Sequence, residues 1–304
     1  MLHNDKEMFE QLIISTAEYF NISEIGIIEK DYYVSLILDR LSQKVSNLVF
    51  KGGTSLSKAY KIINRFSEDV DLNLYTDNGL TNRVIKDLTY AIRAVVSELG
   101  FTIENDEEIN SGMKYNKFNV AVPSIYQVST LKPVVLLETS LSVKAYPTEE
   151  KQISSLIYDY LLASHKIDLI VKYNLKPFTM QVQALKRTFV DKVFAIADYY
   201  ISKDIKEHSR HLYDLYCLFP HIAFDQDIKQ LIEHVRKTRS ELSFCLSAQA
   251  GVNLNQILNN ILAENTYKTD YNTITKSLIY DGISYSQTIE ILQKIIDSNF
   301  FNSL

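Results

Sequence analysis

In the segment FKGGTSLSKAYKIINRFSEDVDLNL, residues 50–74, a pair of glycines is followed by two aspartates two residues apart. The run SEDVDLNLY alternates strictly, which puts Asp69, Asp71 and Asn73 on one face of a strand and Val70, Leu72 and Leu74 on the other. Two carboxylates on one strand face can share a pair of Mg²⁺ ions roughly 3.5–4 Å apart. Gly52 and Gly53 stand between an apolar run, Leu48 to Phe50, and a helical pattern. There they let the backbone turn tightly and approach a ligand with no Cβ in the way. A helix start behind them aims unpaired N–H groups at anions, and Thr54 and Ser55 add hydroxyl donors. Taken singly, the glycines also read as a plain tight turn, and the aspartates as a solvated strand face. Together they constrain each other. Strand, glycine turn, helix and return strand can set a phosphate cradle beside divalent metal.

Such a site needs a scaffold, and the chain has the length for two domains of ordinary size among its 304 residues. Hydrophobic residues make up 46% and charged residues 23%, without low-complexity tracts, which fits a soluble globular protein. The start, MLHNDKEMFEQL, has no basic region followed by an apolar run, and no apolar stretch reaches the roughly 18 residues of a spanning helix. A cytoplasmic location is the expectation. Cys217 and Cys245 sit in apolar helical contexts and read as buried thiols rather than a disulfide or zinc site. The net charge of -5 argues against nonspecific coating of nucleic acid. Its distribution is uneven: residues 68–108 hold ten acids against three bases, and residues 163–192 hold six Lys or Arg against two Asp. This asymmetry suits metal on one wall and a polyanion on the other, or simply two solvated faces.

The elements follow from periodicity. Helical patterns cover Phe9, Leu12, Ile13 and Ala17, then residues 28–41 with Val34, Ile37 and Leu38 on one face. A helix from Thr54 is expected to close at Asn64, and another, residues 80–99, to end at Gly100. Strands are expected at residues 115–122, 133–143 and 178–184, the last closing the sheet. Helices follow at about 189–201, 210–219, 227–244, 254–262, 271–280 and 285–300. The expected architecture is α+β: a domain with a mixed sheet over residues 1–185, then a helical bundle over residues 186–304.

The strings KGGTSLSKAY and RFSEDVDL resemble the signature of polymerase-β-type nucleotidyltransferases, and more closely that of the AbiEii/AbiGii toxin family, to which the MenT toxins belong. ALKRTFVDKVFAI, residues 184–196, resembles the third motif of that family, with its functional lysine at Lys192. HSRHLYDLYCL, residues 208–218, resembles the fourth, which commonly reads RDLYDL; here His211 replaces the first aspartate and Asp214 keeps the second. KTDYNTITKSLIYDGISYSQTIEIL resembles the C-terminal helices of the family.

The resemblance implies an enzyme that moves a nucleoside monophosphate from an NTP to an acceptor hydroxyl with two Mg²⁺ ions and releases pyrophosphate. It implies metal ligation by Asp69 and Asp71, with a third carboxylate for which Glu138 is the candidate. A lone charge within VVLLETSL needs a reason, a buried ion pair being the alternative; Asp106, Glu107 and Glu108 look like a loop. Lys51, Gly52, Gly53, Thr54, Ser55, Lys58, Arg65 and Ser67 are the candidate nucleotide-binding set. Lys192 and Asp214 complete the candidate catalytic set, Lys192 neutralising phosphate charge and Asp214 positioning Lys192 or the nucleotide. Spacing alone also allows a capping box from Thr188 to Asp191, a lysine at 192 that snorkels to water, and a surface pair of Arg210 with Asp214. His208 and His211 read as a solvated pair rather than zinc ligands. The implied acceptor is the 3′ end of tRNA, and the implied partner is a cognate antitoxin encoded nearby that need not touch the toxin. A protein or small-molecule acceptor, such as an aminoglycoside, and a noncatalytic nucleotide- or RNA-binding module are the rival readings.

Overall fold

The computed structural model describes residues 1–65, 67, 69–75, 79–126 and 134–301. Two compact units emerge, each assembled from separated segments. The first comprises Met1–Tyr60, Ser67–Leu141 and Thr148–Val182; the second comprises Lys61–Phe66, Ser142–Pro147 and Gln183–Leu304.

The first unit opens with α1 (Lys6–Phe20), capped by the Asp5 side chain, and α2 (Gly26–Lys44). Their apolar stripes, Phe9, Leu12, Ile13 and Ala17 on one and Val34, Ile37, Leu38 and Leu41 on the other, are buried in a common core, as periodicity predicts. Strand β1 (Leu48–Lys51) leads into the seven-residue helix α3 (Gly52–Lys58), then β2 (Asp69–Leu74) and α4 (Asn82–Glu98). β3 (Thr102–Ile103), β4 (Tyr115–Ala121), β5 (Val134–Ser140), β6 (Thr148–Ile153), α5 (Leu156–Ala163), α6 (Ile167–Tyr173) and β7 (Phe178–Gln183) complete the order.

Among the described residues seven strands form one mixed sheet in the order β3-β4-β5-β2-β1-β7-β6. β2 runs antiparallel to β1 and parallel to β5, and β7 runs parallel to β1. Val70, Leu72 and Leu74 face the core with Phe118, Val120, Val135 and Leu137, so the opposite face of β2 carries Asp69 and Asp71.

Three expectations change here. α3 stops at Lys58 instead of reaching Asn64, and among the described residues only the isolated bridge Arg65 to Ile279 follows before β2. β7 does not close the sheet, because the polar strand β6, TEEKQI, lies outside it at the edge. A charged sequence hides an edge strand from hydropathy while protecting it from further pairing. Helices α5 and α6 occupy a stretch where the sequence suggested only a basic segment. Pro133, the expected first residue of the β5 strand, lies outside the described residues.

The second unit is helical: α7 (Leu185–Ser202), α8 (Arg210–Leu218), α9 (Gln226–Ser240), α10 (Leu254–Glu264), α11 (Lys268–Asp270), α12 (Lys276–Leu278) and α13 (Tyr285–Asp297). A π-helical turn, Tyr271–Thr275, followed by α12 stands where a helix over residues 271–280 was expected. α7 begins four residues earlier than predicted, with Ala184 at its N-cap. Thr188 is therefore inside the helix and forms no capping box. Its Oγ1 accepts from Gln183 Nε2 at 3.1 Å, while Asp191 accepts from Arg187 Nε at 3.0 Å. Cys245 is buried and Cys217 partly so, both as free thiols.

Candidate active site

The turn between β1 and α3 is built on Gly52, whose φ of +76° lies in the region that side chains avoid. A Cβ there would stand 2.7 Å from Asp71 Cγ and closer still to Oδ2. Glycine is required because the Asp71 carboxylate lies against the Gly52 backbone. Strand register makes the meeting unavoidable, since Lys51 lies opposite Asp71. Thr54 and Ser55, both buried, tie the turn down. Thr54 Oγ1 donates to the Asp69 carbonyl at 2.5 Å, and Ser55 Oγ donates to the Gly52 carbonyl at 2.8 Å. Gly53 is buried within α3. Lys58 points elsewhere than the nucleotide-binding reading expects. Its buried ammonium bonds the Asp31 carboxylate and, at 3.3 Å, the Asp31 carbonyl, and the other Asp31 oxygen accepts from Leu156 N–H at 2.7 Å. A lysine so committed anchors α3 to α2 and the start of α5. Ser67 is partly buried, two residues before Asp69.

Pairing across the sheet brings Glu138 to the aspartates. Asp71 lies opposite Glu138, and Glu138 lies opposite Lys117, so Lys51, Asp71, Glu138 and Lys117 form one transverse row over β1, β2, β5 and β4. Lys117 Nζ sits 2.5 Å from Glu138 Oε1 and 3.8 Å from Asp69 Oδ1. Burial alone would lower the Lys117 pKa, but the hydrogen bond and charge of Glu138, then the charge of Asp69, raise it, so the ammonium stays charged. The alternative for Glu138, an ion pair, is thus realised beside the aspartates rather than instead of them. The other candidate acids lie outside the row. Asp106 accepts from Arg93 Nε at 2.7 Å, and Asp106, Glu107 and Glu108 share a single 3-10 turn.

A second cluster forms within the helical unit. Asp214, on α8 and fully buried, accepts from Arg65 Nε at 2.6 Å and Nη2 at 2.8 Å, and from Lys192 Nζ at 2.5 Å. Burial pushes the Asp214 carboxyl up, but the charges of Arg65 and Lys192 outweigh it and hold the group well below the usual carboxylate range. For Lys192 the balance falls the other way: burial lowers its pKa, Asp214 offsets part of that, and Arg65 lowers it further. Arg65 is fully engaged by its bidentate fork, the geometry in which guanidinium binds carboxylate most strongly.

This cluster removes two alternatives that spacing allowed and gives one candidate residue a different partner. Lys192 does not snorkel, because its ammonium is buried on Asp214. Asp214 does not form a surface helix pair, because it is enclosed by cations from two other segments. Arg65 sits on a carboxylate rather than standing open for a nucleotide.

His208 and His211 are not a solvated pair either. The His208 ring stacks on Tyr199, with centroids 3.4 Å apart. His211 Nδ1 lies 3.4 Å from Lys192 Nζ, and burial, followed by the charges of Lys192 and Arg210, keeps its pKa well below the ordinary histidine value. A neutral His211 accepts from the ammonium, so the position that departs from the family pattern touches the motif lysine. Sequence reasoning missed two residues, Lys117 and His211. For His211 the departure itself was the available signal; for Lys117 it was the alternation Tyr115, Lys117, Asn119, which puts it on one strand face without naming its partner.

The donor set suits Mg²⁺. Asp69, Asp71 and Glu138 offer the hard carboxylate oxygens that this ion takes, and the Lys117 ammonium drawn between Glu138 and Asp69 shows that the row attracts a cation. Among the described residues no three acids already converge as a metal cage.

The profile described as "Nucleotidyl transferase AbiEii toxin, Type IV TA system" matches residues 36–291. Among solved structures, the chain is similar in fold to MenT4, a nucleotidyltransferase toxin from Mycobacterium tuberculosis H37Rv. The TM-score is 0.62 at 19% identity, with 96% of this chain and 90% of that one covered. No curated protein matches in sequence. Among the described residues no helix is long and apolar enough to cross a membrane. The match spans most of the chain and includes the glycine turn, the aspartate strand, Lys192 and Asp214: this chain belongs to the AbiEii family of nucleotidyltransferase toxins of type IV toxin–antitoxin systems.

Proposed function

We propose that the chain transfers a nucleoside monophosphate from an NTP to an acceptor hydroxyl, with the 3′ end of tRNA as the acceptor and Mg²⁺ as the cofactor. The observation that carries this reading is the contact of the Gly52 backbone with the Asp71 carboxylate. A triphosphate lying on a bare glycine backbone touches whatever the neighbouring carboxylate holds. Asp69, Asp71 and Glu138 would hold the metal, and Mg²⁺ bound there would supply positive charge against the negative charge of the phosphates. The acceptor oxygen forms a bond to the α-phosphorus, the bond from that phosphorus to the β-bridging oxygen breaks, and pyrophosphate departs. A carboxylate of the row takes the hydroxyl proton. Lys51, Gly53 and Ser67 would border the triphosphate, and Lys192, held by Asp214 within the helical unit, is the residue that the family resemblance assigns to neutralising phosphate charge. Modified tRNA could not be aminoacylated, which accounts for toxicity in the cytoplasm. A cognate antitoxin, which need not touch the protein, would oppose the effect.

A second reading is favoured by one observation. An open cavity of about 460 Å³ beside Lys117 is lined by Glu104, Glu108, Asn105 and Asn119, chemistry that suits a small cationic acceptor better than a polyanion. Incubation with Mg²⁺, each labelled NTP in turn, and total RNA, protein or an aminoglycoside-like small molecule separates the two. Label on tRNA-sized RNA supports the first. Label on the small molecule alone favours the second, and no transfer from any NTP rejects both.

A further inference from the structure

We propose that Lys117 is a built-in cation that holds the Glu138 end of the carboxylate row against divalent metal. A divalent ion then enters at the Asp71 end of the nucleotide-free chain and reaches Glu138 only when the ammonium swings away. The inference rests on the proposed metal role of Asp69, Asp71 and Glu138.

Lys117 lies directly opposite Glu138 in the β4–β5 register, and its Nζ is 2.5 Å from Glu138 and 3.8 Å from Asp69. That is the position between two carboxylates from neighbouring strands where a bridging cation is drawn. A divalent ion at Glu138 and an ammonium at the same oxygens would repel strongly at such separations, so the two exclude each other. Charge balance agrees. The three carboxylates carry three negative charges, which one divalent ion and one ammonium neutralise; a second divalent ion leaves an excess that only an anion such as a triphosphate would offset.

The device is also able to move. The Lys117 backbone is fixed, its carbonyl accepting from Asn105 Nδ2 at 2.9 Å, and the strand continues through Asn119, whose N–H donates to Asn105 Oδ1 at 2.9 Å. The side chain, in contrast, is 35% exposed and borders the cavity lined by Glu104 and Glu108, which gives a displaced ammonium both room and acidic partners. A fixed backbone with a swinging cation is the form of a two-position switch.

Mn²⁺ titration of the full-length, nucleotide-free protein, followed by electron paramagnetic resonance or calorimetry, tests this without reference to activity. Lys117→Gln should bind Mn²⁺ at least about tenfold more tightly at a site that wild type fills weakly, because a unit positive charge a few ångströms away is gone. Glu138→Gln added to Lys117→Gln should erase the gain, and Lys117→Arg, which keeps the charge, should retain the wild-type isotherm. Circular dichroism establishes that each variant is folded; if Lys117→Gln is not, an isotherm for Lys117→Arg with an extra tight site would overturn the proposal. Identical isotherms for wild type and Lys117→Gln, or a gain that survives Glu138→Gln, would also overturn it while leaving the metal role of the aspartates intact. Absence of Mn²⁺ binding by the folded wild type and every variant would instead remove the metal reading itself, and this proposal with it.

Discussion

Arg65 and Asp214, 149 residues apart in sequence, form a buried bidentate pair, and Lys192 completes it from α7. One carboxylate thus compensates two buried cations. Taking it away leaves both without a counter-charge, and breaking a buried pair in this way costs about 3–5 kcal/mol. Asp214→Ala is therefore expected to lower stability severely in chemical denaturation, beyond any effect on transfer. A variant with near-wild-type midpoint would contradict the electrostatic role given to Asp214.

The same carboxylate fixes a pH dependence. Its folded pKa lies below its unfolded value of about 3.9, so its contribution to stability is fully present above that pH and is lost as pH falls towards the folded value. Wild type should lose stability on acidification in the window below about pH 4 more steeply than Asp214→Asn does. Parallel acid limbs for the two proteins would refute the linkage.

Lys192 has the opposite sign. Burial depresses its pKa, so a charged Lys192 costs stability at neutral pH, and the cost falls away only as pH rises between the folded and unfolded values. A buried cation kept at a cost is what a functional charge looks like. Lys192→Met fills the same space, leaves Asp214 on the Arg65 fork, and should melt no lower than wild type by more than a few degrees. Transfer should drop by at least about tenfold, equivalent to about 1.4 kcal/mol of barrier. Transfer within about threefold of wild type, with normal melting, would remove Lys192 from the chemistry.

What was legible in the sequence was whatever depends on neighbours along the chain. Alternation alone put Asp69 and Asp71 on the face opposite Val70, Leu72 and Leu74, and the double glycine marked the turn that the positive φ of Gly52 requires. Pairings between distant segments were not legible. Lys117 reads as an ordinary solvent-facing residue of YNKFNVA until the register sets it against Glu138. Lys58 reads as a phosphate ligand one turn into a helix until Asp31, 27 residues upstream, takes its ammonium. Arg65 reads as a nucleotide ligand, and spacing alone lets Asp214 pair with Arg210, until the fold sets the two on each other. Charge partners are chosen by the fold, and strand β6 adds a case in which polarity suited to an edge concealed the element altogether.

Asp71→Asn should abolish label transfer while leaving melting nearly unchanged, since it removes the negative charge a metal needs and keeps the shape. In a bacterial host lacking the antitoxin, wild-type expression should slow growth and this variant should not. Equal toxicity of the two would point to a cause other than catalysis.

Gly52→Ala tests whether the turn and the carboxylate are one device. Its methyl would overlap Asp71, 2.7 Å from Cγ, so Asp71 must rotate away from the Gly52 backbone. The residue also keeps a φ of +76°, which costs an L-residue roughly 1–2 kcal/mol. The backbone penalty alone should lower the melting temperature by a few degrees, about 2–4 °C per kcal/mol for a chain approaching this size. Gly100→Ala separates the two effects, because Gly100 has the same φ of +76° but nothing within 4 Å of the point its methyl would occupy. Both variants should therefore melt lower, Gly52→Ala by at least as much as Gly100→Ala because of the added overlap, while transfer falls by at least about tenfold only in Gly52→Ala. Equal activity in the two would mean that Asp71 works without its seat on the turn, and the contact that carries the functional reading would be incidental.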